Sequence, residues 1–438
     1  MRIFIPIDTY VSWNALGACC LALNFIFEKV FFVDSSSIQA ESAAADKLPM
    51  SALLALAMTG FICIVTETLP AGLLPQISEG LGISQALAGQ MVTAYALGSL
   101  LAAIPLTIAT RGWRRRNVLL LTIIGFFVFN SVTALSSTYG LTLVARFFAG
   151  VAAGLAWSLL AGYARRMVAP HQQGSAMAVA MVGIPIALSL GVPLGTYMGS
   201  VAGWRTAFWV MSALTLVLAV WVMAKVPDYP GQPKGERMPL RKIFTTPGVR
   251  PVLAVVMAWM LAHNILYTYI APFVATTGLG ERVDLALLTF GVASLGGIWM
   301  AGKLVDSHLR ITVLVSLAAF EITAFIFGVN TQSSVVVFIG IVVWGVTFGG
   351  ASTLLQTALA DTAGSGADVA LSMNVVAWNG AIAGGGVAGG MLLNAWGVSA
   401  FPWALVVLLI IGFIVAWGAR SHAFKPGRRH GDTQVAAH

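Results

Sequence analysis

Long apolar runs, each about 20 residues in length, constrain the fold of this chain more than any other feature. Twelve of them lie between breaks rich in charged residues, proline or glycine, at residues 51–73, 85–108, 117–136, 139–162, 174–201, 205–226, 250–275, 285–304, 311–329, 334–357, 369–394 and 399–419. Strands of a membrane barrel would alternate apolar and polar residues, so continuous runs of this length indicate transmembrane helices. Only 9% of the residues are charged and 58% are hydrophobic, whereas soluble domains carry about 25% charged residues. The sequence therefore predicts an all-α polytopic membrane protein with twelve transmembrane helices.

The basic residues predict the orientation of these helices. The odd-numbered gaps, taken with the adjoining run ends, carry only Arg205 and Arg282. The even-numbered gaps and the C-terminal tail carry 18 basic residues: Arg111, Arg114, Arg115, Arg116, Arg165, Arg166, Lys225, Lys234, Arg237, Arg241, Lys242, Arg250, Lys303, Arg310, Arg420, Lys425, Arg428 and Arg429. Such an excess marks the cytoplasmic side of a membrane protein, so both ends of the twelve-helix unit are expected in the cytoplasm. The net charge of +8 is then a topology signal, and nucleic acid is not an expected partner.

The polar connection at residues 227–249 divides the helices six and six. It predicts an N-terminal six-helix bundle at 50–226, a cytoplasmic linker at 227–249, a C-terminal six-helix bundle at 250–420 and a cytoplasmic tail at 421–438. Residues 1–49 do not fit the pattern, because the moderately apolar part at 9–27 is interrupted by polar residues. We expect an ill-defined N-terminal extension there, with Met50 opening the regular pattern, and an amphipathic membrane anchor is the alternative.

The two halves repeat each other at an offset of 195 residues. Gly150 and Gly154 match Gly345 and Gly349 within similar segments, and the same offset places Gly191 on Gly386 and Gly195 on Gly390. Repeated helical halves that flank a central cavity are typical of secondary transporters.

Several motifs in residues 50–420 resemble those of the major facilitator superfamily, in particular its drug:proton antiporter-1 group. Thr66-Glu67-Thr68-Leu69-Pro70-Ala71-Gly72-Leu73-Leu74-Pro75 is similar to the opening of the first helix in that group. Leu143-Val-Ala-Arg146-Phe-Phe-Ala-Gly150 resembles the motif of the fourth helix, and Gly183 with Gly191-Val-Pro193-Leu-Gly195-Thr196 resembles the antiporter motif of the fifth. The resemblance implies two pseudo-symmetric six-helix bundles, alternating access, and export of a sugar, nucleoside or drug from bacteria in exchange for protons.

The loop between the second and third helices departs from the family pattern. It keeps basic residues at Arg111, Arg114 and Arg115, but Thr110 stands where the family has an aspartate of the inward gate. The counterpart in the second half, Gly302-Lys-Leu-Val-Asp306, is better preserved. The resemblance therefore implies a gate in which Gly302 and Asp306 carry more of the gating role.

Away from the run ends, three charged residues lie within the apolar runs: Glu67, Arg146 and Glu321. A carboxylate at this depth costs about 2.5–3.5 kcal/mol, so Glu67 needs a partner, a proton or a water-filled cavity. It is predicted to be a protonation site; a permanently bonded glutamate that orders the helix is the alternative. Arg146 cannot carry a proton but can pair with Glu67 or hold an anionic group, and in the resembling family the matching arginine serves proton coupling. Alternatively, Arg146 reaches the lipid headgroups, and Glu321 is expected to be a structural glutamate bonded to a neighbouring helix.

Polar and aromatic residues within the apolar runs are candidates for a substrate cavity. They are Tyr95, Trp157, His263, Asn264, Tyr267, Trp344, Gln356, Asn374, Trp378 and Asn379. Aromatic walls with few polar anchors suit amphiphilic small molecules, whereas helix packing or an interfacial belt is the alternative for each aromatic residue. Small residues in the fifth and eleventh helices predict close helix contacts that re-form during a rocking motion, or ordinary close packing; they are Gly183, Gly191, Pro193, Gly195, Gly386 and Gly390.

No nucleotide-binding, metal or nucleophile motif stands in a fitting context, so neither an enzyme activity nor a cofactor is expected. The predicted partners are the lipid bilayer, a small-molecule substrate and protons, and the chain is expected to act as a monomer in the bacterial inner membrane. The predicted function is a secondary transporter that exports a small organic molecule in exchange for protons. A proton-independent transporter or symporter of the same fold, or a membrane receptor without transport, are the alternatives.

Overall fold

The computed structural model describes residues 48–110, 112–169, 172–231, 240–277, 282–330 and 333–427. The predicted extension up to residue 47, Arg111, the middle of the linker and the end of the tail lie outside the described residues. Ten of the spans are α1 Met50–Gly72, α2 Gln85–Ala109, α3 Arg115–Leu135, α4 Tyr139–Arg166, α5 Ser175–Ala202, α6 Trp204–Lys225, α7 Val249–Thr268, α10 Ser334–Ala363, α11 Val369–Trp396 and α12 Val398–Gly418. The helix Val283–Val329 is bent at His308, whose φ of −139° and ψ of 30° are not helical, so residues 283–307 form α8 and residues 309–329 form α9. The described part of the chain thus contains twelve apolar spans and no strand, as the sequence predicts.

Successive spans run in opposite directions, so the loops collect at two ends. We call the end that carries Arg114, Arg310 and the linker the basic end, and the other the opposite end. At the basic end, Arg310 of α9 donates hydrogen bonds to the carbonyl oxygens of Ala416 (3.0 Å) and Phe424 (2.9 Å). These bonds close the basic end of α9 against α12.

The glycine repeat of the first half lies at the crossing of α2 and α4. A Cβ atom on Gly150 would lie 1.9 Å from the carbonyl oxygen of Tyr95, and one on Gly154 would lie 2.5 Å from that of Ser99. No side chain fits at these distances, so the two helices approach backbone to backbone as small-residue interfaces in membranes do.

The second half repeats this crossing between α8 and α10. A Cβ atom on Gly345 would lie 2.6 Å from the carbonyl oxygen of Phe290, and one on Gly349 would lie 2.1 Å from that of Ser294. Both partners, like both glycines, are offset by 195 residues from those of the first half. The sequence repeat therefore corresponds to a repeated helix contact, and the halves α1–α6 and α7–α12 are pseudo-symmetric.

The fifth span packs along the first through its small residues. A Cβ atom on Gly183 would lie 1.8 Å from the carbonyl oxygen of Ala57, and farther along α5 Gly191 and Gly195 face α1 side chains, Val65 and Leu69. A π-helical turn at Ala187–Gly191 precedes Pro193 and bends the span there. The α5 motif of the sequence thus forms the seam that holds α1 in place.

Glu321 lies on the outer side of its half. It is half-buried on α9 beside Ile322, which is exposed toward the lipid. The sequence predicted a hydrogen bond from Glu321 to a neighbouring helix. Among the described residues, the Glu321 carboxylate has no hydrogen-bond donor in contact with it, so this bond is not found.

Candidate functional site

Glu67 lies inside the first half, near the opposite end of α1. It is five residues before the end of the helix, or about 8 Å at 1.5 Å per residue, and its side chain is only 6% exposed. One carboxyl oxygen, Oε1, is fully buried and has no hydrogen-bond partner within the described residues. Buried polar groups are nearly always paired, so this orphaned oxygen marks a site of function or of bound water.

Arg146 of α4 is completely buried next to Glu67. Its Nη2 donates to the backbone carbonyl oxygen of Glu67 at 3.3 Å, and its Nε donates to that of Met91 in α2 at 3.4 Å. The Glu67 carboxylate and the guanidinium do not form an ion pair within 4.0 Å. The two residues are therefore in contact, but through the backbone of Glu67 rather than its side chain.

Aromatic rings enclose the guanidinium. The Cζ atom of Arg146 lies 4.9 Å from the ring centre of Tyr95 and 5.6 Å from that of Phe208 in α6. The Tyr95 hydroxyl donates to the carbonyl oxygen of Cys63 at 2.9 Å, which fixes the ring. Tyr95, a candidate for the substrate cavity, thus lies in the interior of the first half, 1% exposed, as a wall of the arginine site.

Asn130 of α3 adds a polar group that the sequence analysis missed. Its Nδ2 donates to Thr66 Oγ1 at 3.2 Å, and its Oδ1 is buried without a partner. A single asparagine inside an apolar helix is a usable signal, because polar residues in membrane helices face the bundle interior. We call Glu67, Arg146, Tyr95, Asn130 and Phe208 the buried polar site.

In the second half, His263 belongs to an aromatic cluster. The Trp344 indole donates its N–H to His263 Nδ1 at 3.2 Å, and the His263 ring stacks on Phe348 with centroids 3.5 Å apart. Because an indole nitrogen only donates, Nδ1 accepts and the imidazole is the neutral tautomer with its proton on Nε2. Trp344, like His263, is buried among helices rather than on a free surface.

Tyr267 connects this cluster to the first half. Its ring stacks on His263 with centroids 5.2 Å apart. Its buried hydroxyl is directed toward Thr68 of α1 and lies within electrostatic range of Glu67, although no well-formed hydrogen bond is made. The second half therefore places a polar hydrogen beside the turn of α1 that carries Glu67.

The other cavity candidates differ in exposure. Gln356 is exposed and Trp157 and Trp378 are half-buried, whereas Asn264, Asn374 and Asn379 are buried. Asn264 and Asn379 bond to carbonyl oxygens of their own helices, at 2.8 Å and 3.0 Å. Gln356, Trp157 and Trp378 are therefore the members of this group that keep accessible surface.

A groove of about 380 Å³ lies between α2 and α11. Its lining is almost entirely apolar: Thr93, Leu97, Leu100, Gly380, Ala383, Gly384, Val387, Ala388 and Met391. Gly386 borders it, because a Cβ atom there would lie 2.1 Å from Thr93 Oγ1. The groove therefore runs along the contact between α2 and α11.

The loop between α2 and α3 forms an ion pair with an acidic residue from another part of the chain. Thr110 is buried and bonds back to its own helix at Leu106, while Arg114 forms an ion pair with Asp228, which follows α6. The Arg116 N–H also donates to Asp228, at 3.2 Å. Burial opposes the charged form of Asp228, but these hydrogen bonds outweigh it and hold the pKa of Asp228 below its usual value.

The remaining loop candidates lie at the same end. The Arg115 N–H donates to the Tyr229 carbonyl oxygen at 2.9 Å; Gly302 and Asp306 are exposed on α8, and Arg111 is outside the described residues. The segment after α6 was not predicted as a partner of this loop, since nothing in the sequence joins Asp228 to Arg114 before folding.

The buried polar site places a carboxyl group and a guanidinium side by side in the interior of the first half. No group of three or more histidine, cysteine, aspartate or glutamate side chains that suits a metal occurs in the described ranges.

The sequence profile of the Major Facilitator Superfamily matches residues 56–384. The chain belongs to this superfamily and is a membrane transporter. Among curated proteins it is 27% identical over 337 residues to the purine ribonucleoside efflux pump NepI of Escherichia coli O1:K1 / APEC, a match that covers 75% of this chain and 85% of that pump. The NepI pump of Shigella sonnei (strain Ss046) is 26% identical over the same coverage.

Solved structures agree on the fold. The D-xylose-proton symporter superposes with a TM-score of 0.70 at 16% identity, over 86% of this chain and 98% of that one. An inward-facing, occupied bacterial homologue of the human lysosomal transporter Spinster gives 0.69 at 16% identity over the same shares. At this identity the likeness shows the all-α transporter fold alone, which confirms the fold class predicted from the sequence.

Proposed function

We propose that the chain is a proton-coupled exporter of a small organic molecule that works by alternating access in the bacterial inner membrane. The observation that carries this proposal is the buried, unpartnered carboxyl oxygen of Glu67 beside the fully buried Arg146. The basic end faces the cytoplasm under the positive-inside rule, residues 50–226 and 250–420 act as the two moving bundles, and one chain suffices.

The geometry of the buried polar site suits a protonated Glu67. An ionised carboxylate at low dielectric would attract the guanidinium, by about 4 kcal/mol at 4 Å and an effective dielectric constant of 20. Instead, Arg146 bonds to two backbone carbonyl oxygens at 3.3 Å and 3.4 Å, which are long for hydrogen bonds and correspondingly weak. Arg146 Nη1 is also buried without a partner among the described residues. When the proton leaves, the carboxylate draws the guanidinium toward itself, the two long bonds are strained or lost, and the contacts among α1, α2 and α4 change.

Purine ribonucleosides are the first candidates for the substrate. The similar pumps named above export them, and Trp157 and Trp378 keep partly free aromatic faces of the kind on which bases stack. Gln356 is an exposed amide that is able to bond to the edge of a base or a ribose. Sugars and amphiphilic drugs are the competing classes.

The test is proton flux across liposomes that contain the purified full chain and an internal pH dye. We expect adenosine or inosine to drive proton movement in the opposite direction, and a pH gradient to accumulate the nucleoside. Xylose and an amphiphilic cation serve as the competing substrate classes. Nucleoside transport without pH dependence would support a uniporter, and failure to move any compound of the panel would support a receptor or scaffold.

A further inference from the structure

The halves are joined near the opposite end by a tyrosine that stands where α7 ends. Tyr269 follows Thr268 at a break in the helix and is completely buried. Its hydroxyl lies 2.8 Å from the Gly386 carbonyl oxygen of α11 and 3.2 Å from the Ala86 carbonyl oxygen of α2. A phenol donates one hydrogen bond at a time, so these two acceptors, one in each half, share the same proton.

Gln90 of α2 completes the arrangement from the first half. Its Nε2 donates to the Tyr269 hydroxyl at 3.2 Å and to the Gly386 carbonyl oxygen at 3.0 Å. The amide thus supplies hydrogens to both groups of the second half. Separation of the halves at this end breaks these bonds together, because each joins α2 to α7 or α11.

The Tyr269 ring fits between the two halves because glycines, which have no side chain, lie beside it. A Cβ atom on Gly89 would lie 2.4 Å from the Tyr269 hydroxyl oxygen, and one on Gly389 would lie 2.6 Å from a ring carbon. The ring therefore occupies a slot built from both halves. We call Tyr269, Gln90 and Gly386 the outer latch.

The outer latch adjoins the buried polar site. Gln90 directly precedes Met91, whose carbonyl oxygen accepts the Nε bond of Arg146. One turn of α2 therefore carries a latch residue and a ligand of the arginine. A change in how Arg146 is held acts on this turn without any intervening element.

We propose that Tyr269 and Gln90 are positioning residues that keep the transporter closed to the outside, and that Glu67 and Arg146 release them through the Gln90–Met91 turn. The coupling part rests on the proposed proton exchange; the latch itself does not. Loss of the Glu67 proton draws Arg146 from the Met91 carbonyl oxygen, the turn loosens, and the opposite end opens. Outward opening is then favoured when Glu67 has given up its proton, as an exporter requires.

The test measures access from outside to a cysteine on α1 next to Glu67. Thr68→Cys on half-buried Thr68 is the reporter, in a full chain with Cys19, Cys20 and Cys63 replaced by serine, serine and alanine. Intact cells are treated with a membrane-impermeant methanethiosulfonate, and the labelling rate is read. Tyr269→Phe keeps the ring and removes the hydroxyl, and we expect labelling about 2- to 10-fold faster, the population shift that one uncharged hydrogen bond supports.

Tyr139→Phe is the matched control. The Tyr139 hydroxyl also donates to a backbone carbonyl at the opposite end, that of Leu87 at 2.9 Å, but within the first half. We expect no change in labelling with this variant, and Gln90→Leu should behave like Tyr269→Phe. Equal rates for Tyr269→Phe, Gln90→Leu and Tyr139→Phe overturn the latch.

Glu67→Gln tests the coupling separately. It mimics the protonated form, so it should slow labelling in the wild-type background and have a smaller effect when Tyr269→Phe is also present. If Glu67→Gln slows labelling equally in both backgrounds, the coupling through the turn is wrong. If Glu67→Gln changes nothing while Tyr269→Phe still speeds labelling, proton control fails and the latch stands.

Discussion

Substitution of Gly183 tests how closely the backbones of α5 and α1 approach each other. An alanine Cβ at 183 would lie 1.8 Å from the Ala57 carbonyl oxygen, and real Cβ atoms essentially never approach within 3.0 Å. Backbone cannot rotate away as a side chain does, so α5 must move from α1 by about 1.2 Å. Overpacking of this kind costs about 1–3 kcal/mol, and α1 carries Glu67.

Gly195→Ala is the matched control on the same seam. Its Cβ would lie 2.7 Å from Leu69 Cδ1, the end of a flexible side chain, so a rotamer change relieves the contact at a cost of about 1 kcal/mol or less. The assay heats the purified variants in detergent and measures, by size-exclusion chromatography, how much folded protein remains at each temperature. We expect a clear loss of thermal stability for Gly183→Ala and a small one for Gly195→Ala. Equal stability of Gly183→Ala and wild type would refute the packing argument.

Two further substitutions probe the charged residues of the first half. Arg146→Lys keeps the charge but loses the planar guanidinium between Tyr95 and Phe208 and at least one of the two hydrogen bonds to carbonyl oxygens. We expect normal insertion, a loss of stability of about 1–3 kcal/mol and transport below a tenth of the wild-type rate. Transport at the wild-type rate would contradict the geometry. Asp228→Asn weakens the bonds to Arg114 and Arg116. Because the pKa of Asp228 is lowered in the folded chain, its contribution to stability is present above the unfolded pKa of about 3.9 and is lost as the pH falls through the lower folded value. The difference in melting temperature between Asp228→Asn and wild type should therefore be constant from pH 7 to 5 and shrink below pH 4, and a difference that grows on acidification would contradict this.

The number of spans was predictable because it depends on local composition. Twenty apolar residues must form a helix in lipid, where each backbone group needs an internal partner. The repeat was equally visible, since glycines at a helix crossing leave a fixed spacing in the sequence. The bend at His308 and the break at Tyr269 were not predicted at residue level, because they depend on how each span packs.

The site was predictable in part. Glu67 and Arg146 stood out as charges in apolar runs, but the sequence did not show that Arg146 bonds to the Glu67 backbone or that Tyr95 turns inward. Gln90 and Tyr269 were missed because they are uncharged residues within predicted runs, and Asp228 was missed because polar residues are ordinary after the end of a span. Their partners come from distant parts of the chain, and only the fold joins them.

The central claim is that Glu67 is the proton-binding group of the transport cycle. It is tested most directly by transport driven by a pH gradient in liposomes that contain Glu67→Gln, with Glu321→Gln as the matched control. Both residues are glutamates within spans, but Glu321 lies half-buried at the lipid-facing edge, whereas Glu67 lies inside the buried polar site. We predict that Glu67→Gln inserts and folds normally yet loses pH-gradient-driven accumulation, while Glu321→Gln keeps it. Unchanged coupling in Glu67→Gln would contradict the account and return Glu67 to a structural role.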